Sequence, residues 1–566
     1  MEEAVALANN DVVLLAWSYE EPISDCLGFA IRRREAGGVT IPLPAWIGFH
    51  GESNPDWDPR DTEEWPIQKF SWRDLTGTWG HTYSYEIVPR TGKPGDLQSA
   101  EDRVLKTDEV TLTPICSTNV SAYFNRGILS TQALAHALPK NEKGVPDGHK
   151  LIEHIETPGD PLREALAGQI VEGLTLLLKG ATRDDSSCLG AIYELNDPEL
   201  VAQLTDPERV SLVLSEAGED DSTNDDARRH LHEGKVDVAD RLFHTNAHLG
   251  HNKFLIKQAA DGTPTSILTG STNWTRTGIC AQANNALILS DGPLAAAYRA
   301  YWEKLKAECP PDPKAKATQS PGFRTGNDEP HEFTIDGADV TLWFSPNTQQ
   351  QNKPDNPPAP GDMEQVFKLI RGAKEGVLFL LFQPGSPCIL DAIGEAQKEK
   401  PELFVRGAAT DTSLIEKYEA KLYQEGVENP QVAAAAVPDD PIGSMQKELL
   451  KTPGAHAIIH DKIVVIDPRS ADCKVITGSH NLGYKASYAN DENLLIIEGH
   501  QRLAEAYATH VMDVYEHYRW RWRTHGKQSG DGDSDPEDGS GLSNDDSWQD
   551  DYFGDVSAEA ERTFWL

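Results

Sequence analysis

Cysteine and basic charge are both scarce in this chain. Its seven cysteines are odd in number and form no CxxC pair, which points away from a disulfide framework and from a zinc site. Lys and Arg number 52 against 90 Asp and Glu, a formal charge of −38. A general polyanion binder shows the reverse balance. Either the ligand is not a long polyanion, or a basic groove lies locally in an acidic body. No apolar run approaches the length of a membrane span. The acidic opening Met1-Glu2-Glu3 lacks a basic region followed by an apolar core. The expectation is a soluble, cytoplasmic protein. Apolar matter for packed cores is ample: 38% of 566 residues are hydrophobic, with 13 Trp. That length holds about three or four modules of roughly 150 residues.

Two stretches say the same thing twice. The first runs from His251-Asn252-Lys253 to Gly270-Ser271-Thr272-Asn273, the second from His460-Asp461-Lys462 through Asp467 to Gly478-Ser479-His480-Asn481. In each, a His and a Lys two apart share one face of an extended strand. An apolar run, a turn and a second apolar strand ending in Gly-Ser-x-Asn follow. Eleven residues after Asn273 and Asn481 stand Asn284 and Glu492, each followed by Asn (Asn285, Asn493) and another apolar run. Agreement over this span implies a duplicated module. His244 and His248 accompany His251, but only His251 has a counterpart in the other copy, so no metal site is assigned.

These residues resemble the phospholipase D superfamily, whose mark is HxKxxxxD followed by GSxN, present twice. His460, Lys462, Asp467, Gly478, Ser479 and Asn481 fit fully; the first copy departs where the spacing puts Gln258 in place of the Asp. The resemblance implies two α/β halves packed together, each giving one His-Lys set to a shared cleft. It implies catalytic roles for His251, Lys253, Asn273, His460, Lys462, Asn481 and Glu492, supporting roles for Ser271, Asn284, Asp467 and Ser479, and no metal or other cofactor. Glu492 is then the carboxylate that orients its own His460, and Asn284 holds that place beside His251. An amide leaves imidazole neutral more readily than a carboxylate does. On that ground His251 is expected to be the nucleophile and His460 the general acid, later the base.

Along the chain, residues 1–118 read as an all-β sandwich. Trp17, a strand at 27–32 and the alternating Tyr83-Ser84-Tyr85-Glu86-Ile87 before Pro89 are similar to a fibronectin type III domain, the tyrosines supplying a tyrosine corner. Trp65, in a Pro- and Asp-rich loop, is expected to be exposed. Residues 119–150 read as a linker with a helix over 128–138. The first α/β half spans 151–308, with a helix at 162–173 and a strand at 174–178. A linker at 309–330 leads to the second half, 331–527, where strands again alternate with helices. From 528 to 566 the chain is rich in Gly, Ser and Asp, and 528–555 is expected to be disordered. This tail is read either as a solubilising segment or as one that docks a protein or the chain's own cleft.

Together these features point to a phosphodiesterase of the phospholipase D type, a hydrolase or transferase working through a phosphohistidine on a phospholipid or similar small diester. Nuclease or DNA-end phosphodiesterase activity stays open, since tyrosyl-DNA phosphodiesterases of the same superfamily also pair an amide with the first His and a Glu with the second. An inactive double domain serving as a binding module is the third reading, opposed by retention of both His-Lys pairs.

Overall fold

The computed structural model describes all residues except 1, 55–57, 128–147, 217–221, 313–314, 352, 411–431, 435–458, 526–540 and 555. The chain divides into two compact units. One comprises 1–114, 400–404 and 526–566; the other comprises 115–399 and 405–525.

The larger unit holds two mixed sheets. The first runs, edge to edge, Val120–Phe124, Asn285–Leu289, Pro264–Gly270, Lys253–Gln258, Ser187–Ile192, Val210–Ser215 and Asp237–Arg241. The second runs Ala338–Ser345, Glu492–Glu498, Lys474–Gly478, Ile463–Ile466, Gly376–Leu381, Phe404–Ala409 and Val432–Ala434, with the hairpin strand His331–Ile335 added outside Ala338–Ser345. Strand for strand the order is the same. Parallel pairing is confined to the far end of each, as between Ser187–Ile192 and Val210–Ser215 and between Phe404–Ala409 and Val432–Ala434. The central strands are buried on both faces and therefore read as continuous apolar runs, as in Ile463-Val464-Val465-Ile466.

Several expectations need correction. Residues 174–178 are not a strand but the middle of the helix Ile170–Asp184. Its buried residues Ile170, Gly173, Leu174, Leu177, Leu178 and Ala181 recur at three and four, a helical stripe that a short apolar window conceals. The strand comes later, at Ser187–Ile192. Val120–Phe124, within the expected linker, is an edge strand paired with Asn285–Leu289. The helix expected over 128–138 lies outside the described residues.

The smaller unit is β-rich. Its sheets are a three-stranded one (Glu3–Ala8, Val13–Ser18, Ser71–Asp74), a six-stranded one centred on the pair Cys26–Glu35 and Thr82–Lys93, and a two-stranded one (Pro44–Ala45, Arg60–Asp61). Trp17, Phe29, Tyr83 and Tyr85 lie in its core. Tyr83 Oη accepts a hydrogen bond from Thr78 N at 3.0 Å, and Tyr85 Oη donates to Asp74 at 2.9 Å. Trp65 is buried rather than exposed, its indole N–H donating to Glu52 at 2.7 Å.

The acidic C-terminus also departs from expectation. Residues 541–554 are ordered as a short 3₁₀ turn, Asp546–Gln549, and a helix, Asp550–Gly554; Val556–Thr563 is helical too. Trp548, Tyr552 and Phe553 are spaced as one helical face and meet Phe70, with ring centroids 5.6, 5.0 and 5.7 Å away. Gln549 bonds both the N–H and the carbonyl of Ile23 at 3.0 Å. Asp545, instead of merely solvating the segment, caps the turn by accepting from Ser547 N at 3.1 Å. Composition averaged over a Gly-, Ser- and Asp-rich window hides three aromatics in register. Residues 528–540 of the expected disordered stretch lie outside the described residues. Trp548→Ala should therefore lower stability by roughly 2–3 kcal/mol, measured by urea unfolding. An unchanged midpoint would show that the segment adds nothing to this core.

Candidate active site

Each His-x-Lys segment leads into a central strand, and each Gly-Ser-x-Asn ends the strand beside it. Gly270 and Gly478 have φ of 149° and 136°, where an added Cβ would also overlap the carbonyl oxygens of Asn285 and Asn493. Only glycine fits there. The turn that follows carries Asn273 and Asn481 to a pocket of about 330 Å³ lined also by Tyr193, Glu194, His251, Gln282, Phe382, Gln383, His460 and Lys485. The His251 and His460 rings face each other with centroids 6.3 Å apart. Lys253 Nζ donates to His251 O at 2.8 Å and lies 4.9 Å from the Tyr193 ring. Lys462 Nζ likewise donates to His460 O and lies 5.1 Å from the Phe382 ring.

What orients the histidines is the opposite of the expectation. Glu492 does not serve His460: its Oε2 lies 2.9 Å from Nδ1 of His251, in the other half. Nδ1 of His460 lies 3.0 Å from Ser271 O and 3.2 Å from Asn284 Oδ1. The crossing is general. Asn493 Nδ2 donates to Asn252 Oδ1 at 3.1 Å, and Asn285 Nδ2 to Asp461 Oδ1 at 2.6 Å. Thr269 and Tyr298 donate to Asn493 Oδ1, as Thr477 and Tyr507 do to Asn285 Oδ1. The two sheets meet about a pseudo-twofold axis at the pocket, so residues related in sequence to one histidine lie against the other. With Nδ1 of both rings facing acceptors, Nε2 of both is the atom left for the pocket.

The supporting residues fall into two groups. Ser271 Oγ donates to Asn284 Oδ1 at 2.8 Å and accepts from Asn285 N at 3.0 Å, and Ser479 Oγ accepts from Asn493 N at 3.0 Å. Both hydroxyls tie the turns together. Asp467 is not brought to the pocket. Its Oδ1 accepts from the backbone N–H groups of Glu375 and Gly376 at 2.8 and 2.9 Å, anchoring the loop before a strand. Gln258 stands at the matching strand end and donates to Gly262 O at 3.2 Å, so the first copy keeps its turn without the Asp.

Burial and mutual repulsion dominate the electrostatics. Burial pushes His251 down to about 4, against the pull of Glu492 and with Lys253 and Lys462 adding to the fall. His460 is also held well below its ordinary value, by burial and then by Lys462, Lys253 and His251. Burial lowers Lys253, against the pull of Glu492 and Glu194, and lowers Lys462, with Lys253 adding to the fall. Glu492 is raised by burial, but the charge and hydrogen bond of His251 outweigh this and hold it below the usual carboxylate range. Burial is the largest cause at all four groups, and the lysines add to the fall at His251, His460 and Lys462.

His244 and His248 have separate partners, Glu216 at 3.2 Å and Ala489 O at 3.1 Å. Among the described residues no three His, Cys, Asp or Glu side chains are placed to hold a metal ion. Glu194 and Lys485 are lining residues not expected from sequence. Tyr193-Glu194 follows Ser187–Ile192 as Phe382-Gln383 follows Gly376–Leu381. Aligning those strand ends would have exposed the aromatic pair and the Glu beside it.

Residues 367–514 match the family model described as "Cardiolipin synthase, PLD-like domain", a span that includes His460, Lys462, Asn481 and Glu492. The second half of the chain thus carries a phospholipase D-like domain. Among solved structures the chain is similar to phosphatidylserine synthase from Haemophilus influenzae Rd KW20, at 12% identity over 61% of this chain and 84% of that one, with a TM-score of 0.42. It is also similar to Nuc of Salmonella typhimurium, a phospholipase D family member, at 20% identity over 32% of this chain and 95% of that one, with a TM-score of 0.21. No curated protein matches the chain at a significant level. Among the described residues no helix is long and apolar enough to cross a membrane.

Proposed function

We propose that this protein is a phosphodiesterase of the phospholipase D type, built from a duplicated module and acting through a phosphohistidine on His251. The observation that carries this is the facing of His251 and His460 across one pocket, with Lys253 and Lys462 packed against its lining rings Tyr193 and Phe382. In the first step His251 Nε2 attacks phosphorus and the P–O bond to the leaving alcohol breaks. His460 Nε2 gives its proton to the departing oxygen. In the second step His460 takes a proton from water or an acceptor alcohol, whose oxygen displaces His251 from phosphorus. Lys253, Lys462, Asn273 and Asn481 supply charge and amide donors for the non-bridging oxygens.

The crossed pairing changes the reason for this order of roles. With Nδ1–H retained, the phosphorylated ring of His251 is cationic, and Glu492 is placed to offset that charge. His460 rests on two neutral acceptors, which hold its proton less tightly and suit an acid that must release it. No step calls on a cofactor.

Phospholipid or a similar small diester is the substrate class that fits a pocket of about 330 Å³ in a chain of charge −38. A panel of phosphatidylcholine, bis-p-nitrophenyl phosphate, single-stranded DNA and double-stranded DNA tests it. Cleavage of either of the first two is expected; cleavage of DNA alone would move the protein to the nuclease reading.

The pH profile should be asymmetric. Free enzyme needs His251 neutral and His460 protonated, and His460 is held well below its ordinary value. As pH rises through that low value the acid is lost, so kcat/KM should already be falling, toward tenfold per unit, below the pH at which an ordinary imidazole titrates. A bound phosphate anion offsets Lys462 and Lys253 and raises His460, so kcat should persist to higher pH than kcat/KM. A kcat/KM that stays flat to pH 8 would contradict the role of His460.

A further inference from the structure

Among the described residues, Glu194 is the one carboxyl lining the pocket. It follows Ser187–Ile192, in the half that supplies His251, and only 9% of its surface is exposed. A carboxyl beside a phosphate site weakens phosphate binding, and the matching position in the second half is the neutral Gln383. Its Oε2 accepts from Asn273 Nδ2, so Oε1 is the oxygen left to meet a ligand. Burial raises this carboxyl above the usual carboxylate range, opposed by Lys253, Asn273 and Lys462.

Resting on the phosphodiesterase reading above, we propose that Glu194 is a specificity-determining residue. It hydrogen-bonds a hydroxyl on the alcohol that stays esterified to phosphorus, so the substrate is a phosphodiester of a polyol or sugar. The leaving alcohol departs toward His460, opposite the attacking His251. The retained alcohol is therefore the one free to lie on the Glu194 side. An ammonium headgroup fits worse, because Lys253 and Lys462 already crowd the same carboxyl with positive charge. A hydroxyl pairs with the carboxyl in either protonation state, donating to the anion or accepting from the acid.

The test compares two p-nitrophenyl phosphodiesters, one with a 3-hydroxypropyl group and one with n-propyl, on wild type, Glu194→Gln and Glu194→Ala. Wild type should favour the hydroxyl ester in kcat/KM by about tenfold or more. The ratio should fall to near one in Glu194→Ala and to an intermediate value in Glu194→Gln, whose amide still accepts a hydrogen bond and keeps the volume of the site. Because the readout is a ratio, a general loss of rate does not imitate it. If Glu194 only positions Asn273, both esters slow together; that constant ratio, or a wild-type ratio near one, overturns the inference alone. Turnover of neither ester by wild type overturns the phosphodiesterase assignment beneath it.

Discussion

Alanine at position 251 is expected to abolish turnover of every phosphodiester, by about four orders of magnitude or more. His251 holds its Nδ1 against Glu492 at 2.9 Å, which leaves Nε2 as the attacking atom. Without the ring there is no nucleophile on that side, and activating the leaving group does not help. p-Nitrophenyl esters should therefore lose as much as alkyl esters. A loss that shrinks sharply with a better leaving group would mark His251 as the acid instead. Because the side chain packs beside Tyr193, with ring centroids 4.8 Å apart, unfolding midpoints of the variant should be read alongside its kinetics.

His460→Ala is expected to divide the reaction in two. Loss of the general acid should cost about 10²- to 10⁴-fold with an alkyl leaving group, which needs a proton to depart. p-Nitrophenolate leaves unprotonated, so its first step should survive. The second step still needs a base to activate water, so the covalent intermediate should accumulate and a burst of one p-nitrophenolate per enzyme should precede slow turnover. Equal loss with both leaving groups and no burst would reject the assignment of His460.

Much of this site was legible in the sequence because its signal is local. His-x-Lys and Gly-Ser-x-Asn place chemistry on adjacent strands, and Gly270 and Gly478 stand where positive φ and a close carbonyl leave no other choice. The partner of each histidine was not legible. Spacing tied Glu492 to His460, but the packing of two sheets about a pseudo-twofold axis sets it against His251. Sequence distance says nothing of that. Asp467 illustrates a second limit: motif membership placed it with the chemistry, whereas its carboxylate holds the N–H groups of 375 and 376 at a strand end. The helix Ile170–Asp184 and the segment around Trp548 fail for a shared reason. In both, a period of three to four residues is masked by composition, a run of leucines in one and a wash of aspartate in the other.

The central claim is tested most directly by finding where phosphorus is held. Wild-type enzyme mixed with a p-nitrophenyl phosphodiester, quenched in alkali within one turnover and digested, should yield a phosphorylated histidine in the peptide containing His251. The peptide containing His460 should be unmodified, and His460→Ala should give the same adduct in greater yield. An adduct on His460 would reverse the roles; turnover with no histidine adduct in either protein would contradict the covalent mechanism altogether.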